Sequence, residues 1–104
     1  MERVSSLVAD RPVVVFSRSS SSTCHSVTVL FSEFGVNATV HDLDQMPRGV
    51  GREIEQALAQ SGCSPPLPAV FISGELVGGV NEVNSLHLRQ ALKPMLKRAG
   101  ALWV

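Results

Sequence analysis

The stretch that most constrains the fold joins an apolar run to a helical pattern through a polar loop. Pro12–Phe16 reads P-V-V-V-F, a β-branched block that is short enough for a buried strand. From Thr23 to Phe34 apolar residues recur at helical spacing, which predicts a helix with Ser22 or Thr23 as its N-cap. The serine-rich loop between them therefore lies at a helix N-terminus, where free backbone N–H groups and the helix dipole favour negative charge.

Length and composition exclude several classes of protein. The chain has 104 residues, 44% of them hydrophobic, and a net charge of zero, which indicates one globular domain with a modest core. No basic cluster beyond Lys93, Lys97 and Arg98 supports direct nucleic-acid binding. No apolar run reaches the ~20 residues of a membrane helix, and the N-terminus lacks a signal peptide's apolar core. We therefore expect a protein of the cytosol or nucleus, with Cys24 and Cys63 as reduced thiols.

The rest of the chain alternates helical patterns with short strands. The predicted elements are a helix over Glu2–Ala9, a strand over Ala38–Leu43, a turn over Met46–Gly51, a helix over Arg52–Gln60 and a hairpin of strands Ala69–Ile72 and Leu76–Val77. A last helical region is predicted to be capped by Asn81 or Asn84 and interrupted by Pro94. This order predicts an α/β fold with a four-stranded mixed sheet and helices on both faces.

Four stretches stand out beside this element order: Ser17-Arg18-Ser19, Pro65–Ile72, Gly74–Asn81 as G-E-L-V-G-G-V-N, and Lys97–Val104 as K-R-A-G-A-L-W-V. Together with the element order, these motifs resemble the glutaredoxins across essentially the whole chain. They are most similar to the plant CC-type class, also called ROXY proteins. The resemblance implies a thioredoxin-like fold in a single domain over residues 1–104.

The active loop departs from the pattern of that class. Its members carry C-C-x-C or C-C-x-S followed by His, whereas this chain reads S-S-T-C over Ser21–Cys24 and then His25. By resemblance Ser21 takes the nucleophile position, but a hydroxyl is a far weaker acid than a thiol and no activating base and orienter is evident. Cys24 is interpreted as an inert, half-buried thiol, with a substitute nucleophile as the alternative. The resemblance thus implies glutathione-dependent thiol–disulfide oxidoreduction, lost here at the reactive centre by natural or introduced serines.

The glutathione site is better preserved than the nucleophile. By resemblance, Arg18 meets a glutathione carboxylate, and the backbone of Leu67, before a cis Pro68, pairs with the cysteinyl part of the tripeptide. Gly79, Val80 and Asn81 are expected at the γ-glutamyl end, where a helix begins. The alternative is that Arg18 is a solvated loop charge and that the glycines form only a turn.

Two departures weaken the inferred glutathione site. Asn81 replaces an aspartate common in dithiol glutaredoxins, and Glu55 stands where a glutamine often helps to hold the glycine carboxylate. We therefore expect like-charge repulsion at Glu55. The histidines and cysteines show no zinc-site spacing, and without the nucleophilic cysteine we expect no metal or iron–sulfur cluster.

The C-terminal residues are the other candidate functional segment. Leu92 and Leu96 bring apolar groups together, and Trp103 is the only tryptophan. The apolar end over Ala101, Leu102, Trp103 and Val104 either packs onto its own helices or docks to a partner. By resemblance, this tail and the leucines engage TGA-type transcription factors and TOPLESS-type corepressors. A noncatalytic adaptor is therefore the alternative to an oxidoreductase.

Overall fold

The computed structural model describes residues 2–9, 11–47, 49–62 and 67–101. Its strands are β1 (Val13–Ser17), β2 (Thr39–Asp42), β3 (Ala69–Ile72) and β4 (Glu75–Gly78). The sheet order is β2-β1-β3-β4, with β1 parallel to β2 and antiparallel to β3, and β3 antiparallel to β4. The predicted four-stranded mixed sheet is confirmed.

Helices cover both faces of this sheet. They are α1 (Glu2–Val8), α2 (Ser22–Glu33), α3 (Val50–Gln60), α4 (Val80–Leu88) and α5 (Leu92–Arg98), with a short 3-10 helix at Leu43–Gln45. Among the helices of the described residues, none has the length and apolar character needed to span a bilayer.

Alternation along β1 divides the core into two layers. Val14 and Phe16 point to the layer formed with α1 and α3, while Val13 and Val15 point to the layer formed with α2, α4 and α5. All five residues of β1 are buried, as are all four of β3. Because both central strands are covered on both faces, they read in the sequence as continuous apolar runs.

Several element boundaries differ from the sequence prediction, and two of them matter for the packing of the helices. The predicted turn over Met46–Gly51 ends earlier, because α3 already begins at Val50. The last helical region is broken at Gln90, which has a φ of 59°, and not at Pro94. Pro94 is the third residue of α5, where a backbone N–H has no intrahelical partner to lose.

Candidate functional site

The end of β1 and the loop after it are held by acidic side chains at the end of β2 and in the 3-10 helix that follows β2. The Ser17 hydroxyl donates to Asp42, and both the backbone N–H and the hydroxyl of Ser19 donate to Asp44, the N–H over 3.0 Å. Hydrogen bonding from Ser19 holds the pKa of the Asp44 carboxyl below its usual value. Because β1 and β2 are parallel, their carboxyl ends meet at one edge of the sheet, where these bonds fix the backbone around Arg18.

Ser21 begins the central helix. It is the N-cap of α2, and its side-chain oxygen accepts a hydrogen bond from the Cys24 N–H over 3.3 Å. The expectation that Ser22 or Thr23 caps the helix was wrong, because Ser22 already lies in the first turn. The structure thus places the hydroxyl at position 21 at the positive end of the helix dipole.

Cys24 is more enclosed than the sequence suggested. Its side chain is 2% exposed, whereas a half-buried thiol was expected. His25, the next residue, is exposed. A cavity of about 260 Å³ lies beside them and is lined in part by Ser21, Thr28 and Asp42. Burial of the Cys24 thiol favours the structural interpretation of this residue over that of a substitute nucleophile.

The peptide bond between Leu67 and Pro68 is cis, as the sequence predicted. Phe16 of β1 pairs with Ala69 of β3, so Pro68 lies next to the end of β1 and beside the Ser17–Ser21 loop. Leu67 is partly buried and Pro68 is buried. The cis-proline turn and the start of α2 therefore share one edge of the sheet.

A third segment reaches the same edge at the start of α4. A Cβ atom on Gly79 would lie 3.2 Å from the Pro68 carbonyl oxygen, so a glycine there permits the close approach of the two turns. Gly79 is also the N-cap of α4, and its N–H donates to the Glu82 side chain over 2.6 Å. The predicted caps, Asn81 and Asn84, were wrong, because both lie inside α4.

Glu82 also determines which backbone N–H groups at the start of α4 are available to bind a ligand. The N–H of Gly79 already has this carboxylate as its acceptor, while Val80 and Asn81 lie in the first turn, whose N–H groups have no acceptor within the helix. Sequence reasoning missed Glu82, although a glutamate three residues after an N-cap is a known signal for such a contact.

Glu55 contacts the loop directly. Its Oε1 atom lies 2.6 Å from Nη2 of Arg18, and the two residues are 37 positions apart in the chain. The pair lines a groove of about 310 Å³, together with Leu43, Asp44, Gly51 and Arg52. Glu55 was expected only to repel the ligand carboxylate. In the structure it is paired with Arg18, the cation that was expected to bind that carboxylate.

The two leucines assigned to partner binding are buried. Leu92 and Leu96 have no exposed side-chain surface and pack in the layer of the core between the sheet and α2, α4 and α5. Their side chains are therefore not available to a partner in this conformation. Ala101 is partly buried against the same layer, and residues 102–104 of the predicted docking tail lie outside the described residues.

The part of the chain that the structure describes contains no candidate metal-binding cluster. Among the described residues, no group of three or more His, Cys, Asp or Glu side chains could hold a metal ion. Cys63 lies outside the described part of the chain.

The fold and this edge define a class of protein. A cis-proline turn packed beside the N-terminus of a helix that follows the first sheet strand, in a four-stranded mixed sheet, is the arrangement expected of a thioredoxin-like glutaredoxin fold. The family model described as Glutaredoxin matches residues 13–77. Monothiol glutaredoxin-S5 of Arabidopsis thaliana is 55% identical over 104 residues, and the match covers 100% of both chains. The chain therefore belongs to the glutaredoxin family.

Further comparisons agree with this membership. Glutaredoxin-C1 of Oryza sativa subsp. japonica is 57% identical over 105 residues, again with 100% of both chains covered. Among solved structures, the buckwheat glutaredoxin–glutathione complex is 34% identical, with a TM-score of 0.91 over 98% of this chain and 91% of that chain. These relatives are plant glutaredoxins.

Proposed function

We propose that this chain is a CC-type glutaredoxin that binds glutathione but lacks the reactive thiol of the family. The observation that carries the proposal is the position of Ser21, whose oxygen caps α2 where the nucleophilic sulfur is expected. Thiol–disulfide exchange begins with a thiolate, which a helix N-terminus stabilises. A serine hydroxyl at the same place stays protonated and has no sulfur to exchange.

Glutathione is proposed to lie across the three segments that meet at this edge of the sheet. Arg18 faces the glycine carboxylate, the backbone of Leu67 pairs with the cysteinyl part, and the Gly79–Asn81 turn receives the γ-glutamyl end. The convergence of these segments and the glutathione complex of the similar buckwheat protein support this placement. Binding needs the shape and charge of the groove, and it does not need the missing sulfur.

The test is Ser21→Cys in a glutathione-coupled assay of mixed-disulfide reduction. The variant places a thiol at the helix N-terminus, where its pKa falls, and recreates a two-thiol spacing with Cys24. We expect turnover to rise at least about tenfold above that of the parent, since the variant supplies the missing nucleophile. Ser20→Cys is the matched control, because it adds an exposed thiol outside the cap position.

Two outcomes would contradict the proposal. Turnover by the parent that is lost in Cys24→Ser would make Cys24 the nucleophile. An inactive Ser21→Cys variant that also fails to bind glutathione would show that the groove is not a glutathione site.

A noncatalytic adaptor is the second candidate function. It is favoured by the role of Ser21 as a helix cap, which serves stability without any redox step. In this alternative, one glutaredoxin domain over residues 1–104 docks TGA-type transcription factors and TOPLESS-type corepressors through Ala101–Val104, in the cytosol and nucleus. Removing residues 102–104 should abolish the binding of a purified partner, and unchanged binding would refute the role of the tail.

A further inference from the structure

Arg18 is already neutralised by the chain itself. Its guanidinium lies 2.6 Å from the Glu55 carboxylate, and the two side chains are 49% and 35% exposed. A ligand carboxylate that approaches Arg18 therefore meets an existing ion pair and a second negative charge. The Arg18 guanidinium, which would bind the ligand carboxylate, is therefore already bound to the Glu55 carboxylate.

The position of this pair follows from the backbone on both sides. Ser17 and Ser19 anchor the loop to Asp42 and Asp44, so Arg18 leaves the loop in a fixed direction. Glu55 lies on α3, whose start packs against the 3-10 helix that contains Asp44. The ion pair thus joins two held segments, and Glu55 is kept within reach of Arg18.

An exposed ion pair of this kind is weak enough to be displaced. Such pairs contribute little to stability, because water screens them and two side chains lose freedom. Displacement leaves the Glu55 carboxylate beside the ligand carboxylate, which disfavours the bound state. A ligand that is neutral at this end would leave the Arg18–Glu55 pair in place and avoid the repulsion.

We propose that Glu55 is a specificity-determining residue that acts as the internal counter-ion of Arg18 and selects against ligands with a free carboxylate at this end of the groove. The proposal rests on the proposed function, in which the glycine end of glutathione approaches Arg18. Relative to a glutamine, Glu55 weakens binding of the free acid and has little effect on the same tripeptide with that carboxylate neutralised. The preferred ligand class is therefore a glutathione derivative blocked at glycine, such as an ester or amide.

The test measures binding to the 104-residue protein by titration calorimetry. Glutathione and its monoethyl ester at the glycine carboxyl are compared on the parent, on Glu55→Gln and on Glu33→Gln. Glu33→Gln is the matched control, since it removes one exposed negative charge at the opposite end of α2. We expect Glu55→Gln to tighten glutathione binding by about three- to tenfold and to change ester binding by less than about twofold.

A second variant checks that the gain passes through Arg18. Adding Arg18→Gln to Glu55→Gln should remove the preference for the free acid, because the carboxylate then has no cation to meet. Raising the salt concentration should reduce the difference between the free acid and the ester.

The opposite results are distinguishable. Weaker glutathione binding by Glu55→Gln would mean that Glu55 orients Arg18 for the ligand, and an equal gain for the ester would mean a general charge effect; either overturns the inference alone. No binding of either ligand to any variant would refute the proposed function together with the inference.

Discussion

At the scale of single residues, the side chain at position 21 determines whether the start of α2 has a strong hydrogen-bonding cap or a redox-active thiol. The Ser21 oxygen accepts the Cys24 N–H, and replacing such a cap typically costs about 1 kcal/mol of stability. A thiol is a poorer acceptor, but its pKa falls at a helix N-terminus. We therefore expect Ser21→Cys to be slightly less stable than the parent, while gaining the thiolate that the family reaction needs.

His41 gives a prediction about pH. Its ring stacks on Phe16 with centroids 5.5 Å apart, and burial lowers the pKa of this imidazole from 6.5. The unfolded chain then takes up the proton before the folded chain does. The stabilisation that the neutral ring provides is fully present above pH 6.5, the pKa of the unfolded chain. It is lost as the pH falls from there through the lower pKa of the folded state.

The variant His41→Phe keeps an aromatic ring against Phe16 and removes the titration. Urea unfolding from about pH 7.5 to about pH 5 should show a smaller loss of stability for the variant than for the parent. An equal loss in both proteins would mean that another group causes the pH dependence.

Several residue-level features could be predicted from the sequence, and others could not. The resemblance to the glutaredoxins implied the cis peptide bond before Pro68, which is confirmed. The serine-rich loop was expected at a helix N-terminus, which is also confirmed, although the cap is Ser21 and not Ser22 or Thr23. The Arg18–Glu55 pair spans 37 positions, so it depends on how α3 packs against the loop. No local pattern specifies that distance, which is why Glu55 was expected to repel a ligand and was not expected to pair with Arg18.

At the scale of elements, the start of α3 is fixed by close packing against the 3-10 helix. Gly51 is buried in the first turn of α3, and a Cβ atom there would lie 2.4 Å from the Leu43 carbonyl oxygen. The sequence assigned Gly51 to a turn, because glycine is usually a helix breaker. Its actual role is a backbone contact between two elements, which a single sequence does not reveal.

The contact predicts the effect of Gly51→Ala. At an unconstrained helix position this change stabilises by about 0.5–1 kcal/mol, but here the added methyl group forces α3 away from Leu43. We expect a loss of about 1–3 kcal/mol in urea unfolding, because the added methyl group overpacks this contact. Gln56→Ala, at an exposed position of the same helix, is the control and should change stability by less than about 0.5 kcal/mol. A stabilised Gly51→Ala protein would contradict the assigned contact.

The C-terminal helices show where element prediction failed. Leu92 and Leu96 follow a run of leucines that includes Leu88, and the sequence alone does not say which of them face inward. The left-handed residue Gln90 separates α4 from α5, and Leu88 is 82% exposed while Leu92 and Leu96 have no exposed surface. A left-handed turn at a glutamine has no strong local signal, and Pro94 was therefore taken as the break.

At the scale of the whole molecule, the sheet separates the layer of the core under the Arg18–Glu55 groove from the layer that contains the C-terminal helix. The layer with α1 and α3 lies under the Arg18–Glu55 groove, and the layer with α2, α4 and α5 encloses Leu92 and Leu96. Both layers share β1 and β3, so the protein should unfold as one cooperative unit. A defect in either layer then lowers the stability of the entire domain, and it does not open one end alone.

This coupling predicts different outcomes for two leucines that are close in sequence. Leu96→Ala leaves a cavity under α5 and should cost about 2–5 kcal/mol, whereas Leu88→Ala at the exposed site should cost less than about 0.5 kcal/mol. Urea unfolding followed by circular dichroism should give a single cooperative transition for both variants. If Leu96→Ala keeps the parent's stability yet fails to bind a partner, the leucine belongs to a docking surface and the core assignment is wrong. If Leu96→Ala loses stability and binds the partner in proportion to the fraction of the protein that is folded, the loss of binding arises from the damaged core.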